Sequence, residues 1–132
     1  MRKGTRKLEL LPGVYAVCRL DKDAVLPDWA IGGPFSSITR TTEELSVVCP
    51  DAQVAPGVQK ETGWRVLTVR GPLDFSLTGV LSSLIGPLAE KGVSIFALST
   101  FDTDYVMVKH EQLKEAIQTL ESAGHDVRRA CE

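Results

Sequence analysis

Along residues 64–130 the hydrophobic period alternates between two and three-to-four, and this alternation restricts the fold more than any single motif. Residues 64–70 read as an apolar strand. Residues 77–91 read as a helix, because Val80, Leu81, Leu84, Ile85 and Leu88 repeat at spacings of three and four, and Gly92 is placed to stop it. Ser76 or Thr78 is expected to cap its start. Gly86-Pro87 falls inside this helix, where proline removes a backbone bond and kinks the axis. Residues 93–100 and 104–109 form two more strands around a turn at Asp102-Thr-Asp104. Residues 111–123 form a second helix with Leu113, Ala116, Ile117, Leu120 and Ala123 on one face; Gly124 ends it and residues 125–129 make a last strand. A β-α-β-β-α-β order is the ferredoxin-like arrangement, an α+β fold with two helices over one face of a four-stranded antiparallel sheet.

The first half is richer in strands. Residues 7–11 and 14–20 are extended runs around Pro12-Gly13, which predicts a β-hairpin. Residues 26–31 allow one helical turn with Pro27 at its start. Strands follow at 35–40 and 44–49, and 56–62 is expected as a short helix closed by Gly63. Shifted by sixty residues, Ile38-Thr-Arg-Thr-Thr-Glu-Glu-Leu-Ser-Val-Val48 lies over Leu98-Ser-Thr-Phe-Asp-Thr-Asp-Tyr-Val-Met-Val108. The expectation is therefore two tandem ferredoxin-like units, 1–62 and 63–132. The N-terminal one would be a shortened, permuted copy whose missing strand comes from the hairpin at Pro12-Gly13.

Gly71-Pro-Leu-Asp-Phe-Ser-Leu-Thr-Gly79 joins strand to helix, and a helix entrance offers unbonded N–H groups and a positive dipole end to a small anion. A small carboxylate suits the N–H groups near Thr78, Gly79 and Val80, while Asp74 and Asp104 suit a cationic group. Phe101 would supply an apolar wall. Asp102 and Asp104 as turn residues, and Asp74 as an acid favoured at a helix start, are the plainer readings of the same positions.

Other chemistry finds little footing. A net charge of −2 over 132 residues gives no wide basic patch for nucleic acid, and the basic tip Arg2, Lys3, Arg6, Lys7 reads as a solvated tail. No apolar run approaches the ~18 residues of a membrane helix. Cys18, Cys49 and Cys131 form no C-x-x-C, which fits reduced thiols in a cytosol, with Cys18 and Cys49 as buried hydrophobes. His110 and His125 read as surface residues, and Trp29 and Trp64 as packing residues. No nucleophile triad, metal-ligand spacing or phosphate-loop motif is readable. Neither catalysis, nor a metal, nor a cofactor is expected.

At Gly71–Leu81 (Gly-Pro-Leu-Asp-Phe-Ser-Leu-Thr-Gly-Val-Leu) and at Ser99-Thr-Phe-Asp-Thr-Asp-Tyr-Val-Met-Val the chain resembles the ACT-domain family. More narrowly, it is similar to small bacterial tandem-ACT proteins related to the regulatory region of aspartate kinase, and to the eukaryotic cytosolic arginine sensor CASTOR. The resemblance implies a non-catalytic cytoplasmic sensor that holds an amino acid between ACT units, as a homodimer, and signals to a regulated protein partner. It places ligand contacts at Asp74, Phe75, Ser76, Leu77, Thr78, Gly79, Val80 and Leu81, and at Thr100, Phe101 and Asp104. The alternative is a protein-interaction module that works through its sheet edges and has lost the ligand.

Overall fold

The computed structural model describes residues 6–70 and 79–129. Its strands are β1 (Lys7–Leu10), β2 (Tyr15–Leu20), β3 (Ser37–Arg40), β4 (Leu45–Pro50), β5 (Gln59–Val69), β6 (Ile95–Ser99), β7 (Asp104–Lys109) and β8 (Asp126–Arg129). Its helices are α1 (Val80–Glu90) and α2 (Leu113–Ser122), with 3-10 turns at Asp28–Ala30, Asp51–Gln53 and His110–Gln112. The chain divides into two compact units: Gly13–Trp64, and Met1–Pro12 with Arg65–Glu132. β5 gives its first residues to one unit and its last to the other.

The C-terminal unit has the ferredoxin-like frame with one strand added. Its strand order is β6-β7-β5-β1-β8. β1 runs antiparallel to β5, with Leu8 opposite Val69 and Leu10 opposite Leu67, and parallel to β8, with Leu8 opposite Val127. The expected hairpin is therefore absent, since β1 pairs with β5 and β8 while β2 pairs with β4 and β5. The front strand serves the C-terminal unit, not the N-terminal copy that it was expected to complete. The reason is packing: Leu8 and Leu10 are each 1% exposed and join Leu67, Val69, Val106 and Val108 beneath both helices. Val80, Leu84 and Leu88 of α1 and Leu113, Ala116 and Leu120 of α2 close this core. Full burial of such a side chain is worth about 1.5–3 kcal/mol, far more than the two-residue turn that Pro12-Gly13 would supply.

α1 starts later than expected. Its N-cap is Gly79, at φ 78, and the expected caps Ser76 and Thr78 lie outside the described residues. The helix runs through Pro87 and ends at Gly92, where the Val93 amide donates to the Leu88 carbonyl at 3.1 Å. His125, expected at the surface, is only 5% exposed. The Arg6 amide donates to its Nδ1 at 3.0 Å, and its Nε2 lies 3.1 Å from the Ser83 carbonyl oxygen.

The N-terminal unit is a shortened sheet of order β3-β4-β2-β5, with no α-helix among the described residues. Residues 59–62, expected in a helix, belong to β5. Gln, Lys and Glu favour helix, but here they pair with Arg19, Cys18 and Val17 of β2, so tertiary pairing overrides propensity. Between Tyr15↔Trp64 and Val17↔Glu61 the register shifts by one residue, and Gly63 at φ 88 supplies the backbone turn for this bulge. Cys18 and Cys49 are free, buried thiols in the core of this unit, beside Ala16, Leu45 and Val47. Burial pushes both thiols up, Cys49 to about 11.

The β3–β4 and β6–β7 hairpins correspond at an offset of fifty-nine residues, where the sequence pattern suggested sixty. Arg40 pairs with Leu45 as Ser99 pairs with Asp104, each across a four-residue loop. The loops share their chemistry: the Thr41 amide donates to Glu44 O at 2.9 Å and the Thr100 amide to Thr103 O at 2.8 Å. In each, the threonine hydroxyl accepts from the amide of the loop's last residue. At this offset Val47, Val48 and Cys49 superpose on Val106, Met107 and Val108, all buried.

β5 alternation also puts Lys60 and Thr62 on one face, where both donate to Asp51 Oδ1, at 2.8 and 2.7 Å. The bond from Lys60, and then that from Thr62, hold the Asp51 carboxyl below its ordinary range. A depressed carboxyl stabilises the fold above its unfolded value of about 3.9, and this contribution is lost as pH falls through the lower folded value. Asp51→Asn is thus expected to lower stability at neutral pH, and the loss is expected to shrink as pH falls below the unfolded value. Urea midpoints read by tryptophan fluorescence test this, since Trp29 and Trp64 both lie in the N-terminal unit. A wild-type to variant gap that stays constant as pH falls would refute it.

Candidate ligand site

β5 ends where the predicted loop begins. Asp74, Phe75, Ser76, Leu77 and Thr78 lie outside the described residues. Beyond them Gly79 enters α1 in a left-handed conformation, and its carbonyl accepts the Ser83 amide at 2.9 Å. A Cβ at Gly79 would meet nothing within 4 Å, so the glycine is required by its backbone angle and not by crowding. Val80 is 5% exposed and Leu81 packs on the same core. Their side chains therefore serve packing, and a ligand would meet only the amides of the helix's first turn.

The second predicted group is gathered in one turn. Thr100 closes the β6–β7 loop through its amide and hydroxyl, both to Thr103 O. Phe101 stands at the tip, 78% exposed. Asp104 Oδ1 accepts the Ser99 hydroxyl at 2.6 Å, and the Asp104 carbonyl accepts the Thr68 hydroxyl at 3.2 Å. Thr103 ties the loop to β5 by donating to the Val69 carbonyl at 2.9 Å. The hydroxyls of Thr68 and Thr103 thus fasten the hairpin tip to the end of β5.

Beside that junction is an open groove of about 490 Å³ lined by Glu9, Thr68, Val69, Arg70, Asp102, Thr103 and Tyr105. It sets one guanidinium with two carboxylates. Thr100, Phe101 and Asp104 adjoin the groove without lining it. None of the seven lining residues was among the expected contacts, and Asp102 was read as a turn residue. Arg70 was legible as the last residue before Gly71, whereas Glu9 reaches the site only because β1 lies beside β5, with Glu9 opposite Thr68. Among the described residues no helix is long and apolar enough to cross a membrane, and no group of His, Cys, Asp and Glu is arranged to hold a metal.

Comparison with known proteins matches this architecture. The model of the ACT domain matches residues 59–122, and a second model, for an N-terminal domain, matches residues 13–56. The chain is 32% identical over 97 residues to the cytosolic arginine sensor for mTORC1 subunit 1 of Bos taurus, a match that covers 65% of this chain and 30% of the sensor. The human sensor is 31% identical over 97 residues, again across 30% of its length. The chain thus spans under a third of the length of these sensors. A crystal structure of an Agobacterium tumefaciens protein is similar at a TM-score of 0.92 and 38% identity, covering 97% of this chain and 96% of that one. Clostridium acetobutylicum aspartate kinase is similar at a TM-score of 0.64 and 12% identity, over 88% of this chain and 33% of the kinase, which is a likeness of fold. The family model and the fold agree: residues 59–122 of this chain are a domain of the ACT family.

Proposed function

We propose that the protein is a non-catalytic amino-acid sensor. The groove at the end of β5 carries this reading, because it sets Arg70 against Glu9 and Asp102 and so complements a zwitterion. In this reading Arg70 and the first amides of α1 hold the α-carboxylate. Glu9 and Asp102 hold the ammonium, or a cationic side chain. Ser99 occupies one oxygen of Asp104, so Asp104 contributes through the other. Similarity to a sensor named for arginine supports an amino-acid ligand without fixing which. The ligand lies between ACT units of two chains, C-terminal unit against C-terminal unit, in a cytoplasmic homodimer that reports to a protein partner. Similarity to a protein named as a sensor supports a non-enzymatic role.

The test is a thermal-shift screen with the common amino acids. A ligand at ~100 times its Kd adds about 2.7 kcal/mol, a rise of several degrees at this size. Arg70→Gln is expected to weaken the responding amino acid about tenfold or more, through loss of a charged hydrogen bond worth about 1.5–3 kcal/mol. Absence of any shift across the set would sink the reading.

A further inference from the structure

A second groove lies at the opposite end of β7. It has about 430 Å³ and is lined by His110, Leu113, Lys114, Ile117, Gln118 and Arg129. Its basic character follows from strand alternation. Leu67, Val108 and Val127 face the helices; two residues before Leu67 stands Arg65, and two residues after Val108 and Val127 stand His110, just past β7, and Arg129. Three inward faces thus run out of apolar residues and end on basic ones near the first turns of α2. Among the described residues no carboxylate lines the groove.

Arg65 is the informative member. It is only 8% exposed, its Nη1 lies 3.3 Å from His110 Nδ1, and its Nε is buried with no hydrogen-bond partner. A guanidinium only donates, so the contact makes His110 Nδ1 an acceptor and leaves Nε2 as the ring's N–H donor. Buried guanidinium groups are ordinarily paired with an anion, and this one meets only a neutral ring at the wall of the groove. Lys114 and Arg129 add two exposed cations, and α2 adds its positive end. Leu113 and Ile117 give one wall an apolar surface suited to an organic body rather than a bare ion.

We propose that this groove binds a small phosphomonoester. Lys114 and Arg129 contact the phosphoryl oxygens with the His110 N–H, Arg65 supports His110 from behind, and the ester's apolar part lies on Leu113 and Ile117. A doubly charged phosphoryl group answers this surplus of positive charge better than a carboxylate does. The site lies apart from the amino-acid groove and does not depend on it.

The experiment is an NMR titration of the intact chain with inorganic phosphate, phenyl phosphate and benzoate at equal ionic strength. Phenyl phosphate is expected to give saturable shifts at the Leu113, Lys114 and Ile117 amides, and to bind more tightly than inorganic phosphate or benzoate. The surface double variant Lys114→Gln/Arg129→Gln is expected to lose about tenfold or more in that affinity, since each residue removes a charged hydrogen bond. Its dispersed spectrum would establish that the fold is retained. Benzoate binding as tightly as phenyl phosphate, shifts that map elsewhere, absence of saturation at millimolar phenyl phosphate, or an unchanged affinity in the variant would each overturn the assignment.

Discussion

A chain that begins at residue 13 will fail to fold its C-terminal unit, although every residue of the ACT-domain match, 59–122, is still present. β1 is not an appendage to that unit. It stands between β5 and β8, so its removal leaves the last strand with no strand to pair with and opens a slot in the sheet. Leu8, Leu10 and Leu11 are all buried, and loss of one such leucine to alanine alone costs about 2–5 kcal/mol. Removing two or more of these exceeds the stability of an ordinary small domain, about 5–15 kcal/mol in total, or comes close to it. The expected NMR spectrum of residues 13–132 has collapsed dispersion for the α1, α2 and β8 amides. A milder version is Leu10→Ala in the full chain, expected to lower stability by about 3 kcal/mol. A 13–132 chain with the native set of C-terminal resonances would show that β8 closes directly on β5, as in a four-stranded ferredoxin-like sheet.

That same strand marks the boundary of what the sequence made legible. Elements with a strong local period were readable in place: α1 from Val80 onward, α2, and the strands on both sides of each. Lys-Leu-Glu-Leu was readable as a strand, but its partner was not, because Pro12-Gly13 satisfies the local grammar of a hairpin while the distant Leu67 and Val69 supply the burial. The 59–62 stretch failed for the related reason that its helix-favouring residues are held by β2. In the site, the hairpin residues Thr100, Phe101 and Asp104 do cluster, since a turn is local. Glu9 and Arg70 were missed because one arrives by long-range pairing and the other sits beside a more conspicuous glycine loop. His125 was misread because a histidine after a helix-stop glycine carries no local sign of burial; its partners are at Arg6 and Ser83.

His125 carries the second large effect, and Pro87 explains it. In α1 the Ser83 carbonyl would accept the amide of residue 87, but proline has none. His125 Nε2 stands 3.1 Å from that oxygen, in place of the missing helical bond. The Arg6 amide donates to Nδ1, so Nδ1 is the acceptor, Nε2 carries the proton and the ring is neutral. One buried ring thereby joins the segment leading into β1, the helix α1 and the entry to β8. Replacing it by alanine strands a backbone donor and a backbone acceptor and leaves a cavity, at an expected cost of about 3 kcal/mol, near 10 °C in Tm. The replacement of the lost helical bond is separable from simple packing by a double-mutant cycle. Pro87→Ala returns an amide to Ser83, so His125→Ala is expected to cost about 1 kcal/mol less in the Pro87→Ala background than in the wild type. Calorimetric melting of the four proteins measures the coupling. Additive losses would mean that His125 stabilises the unit by filling space, and that its contact with Ser83 contributes nothing.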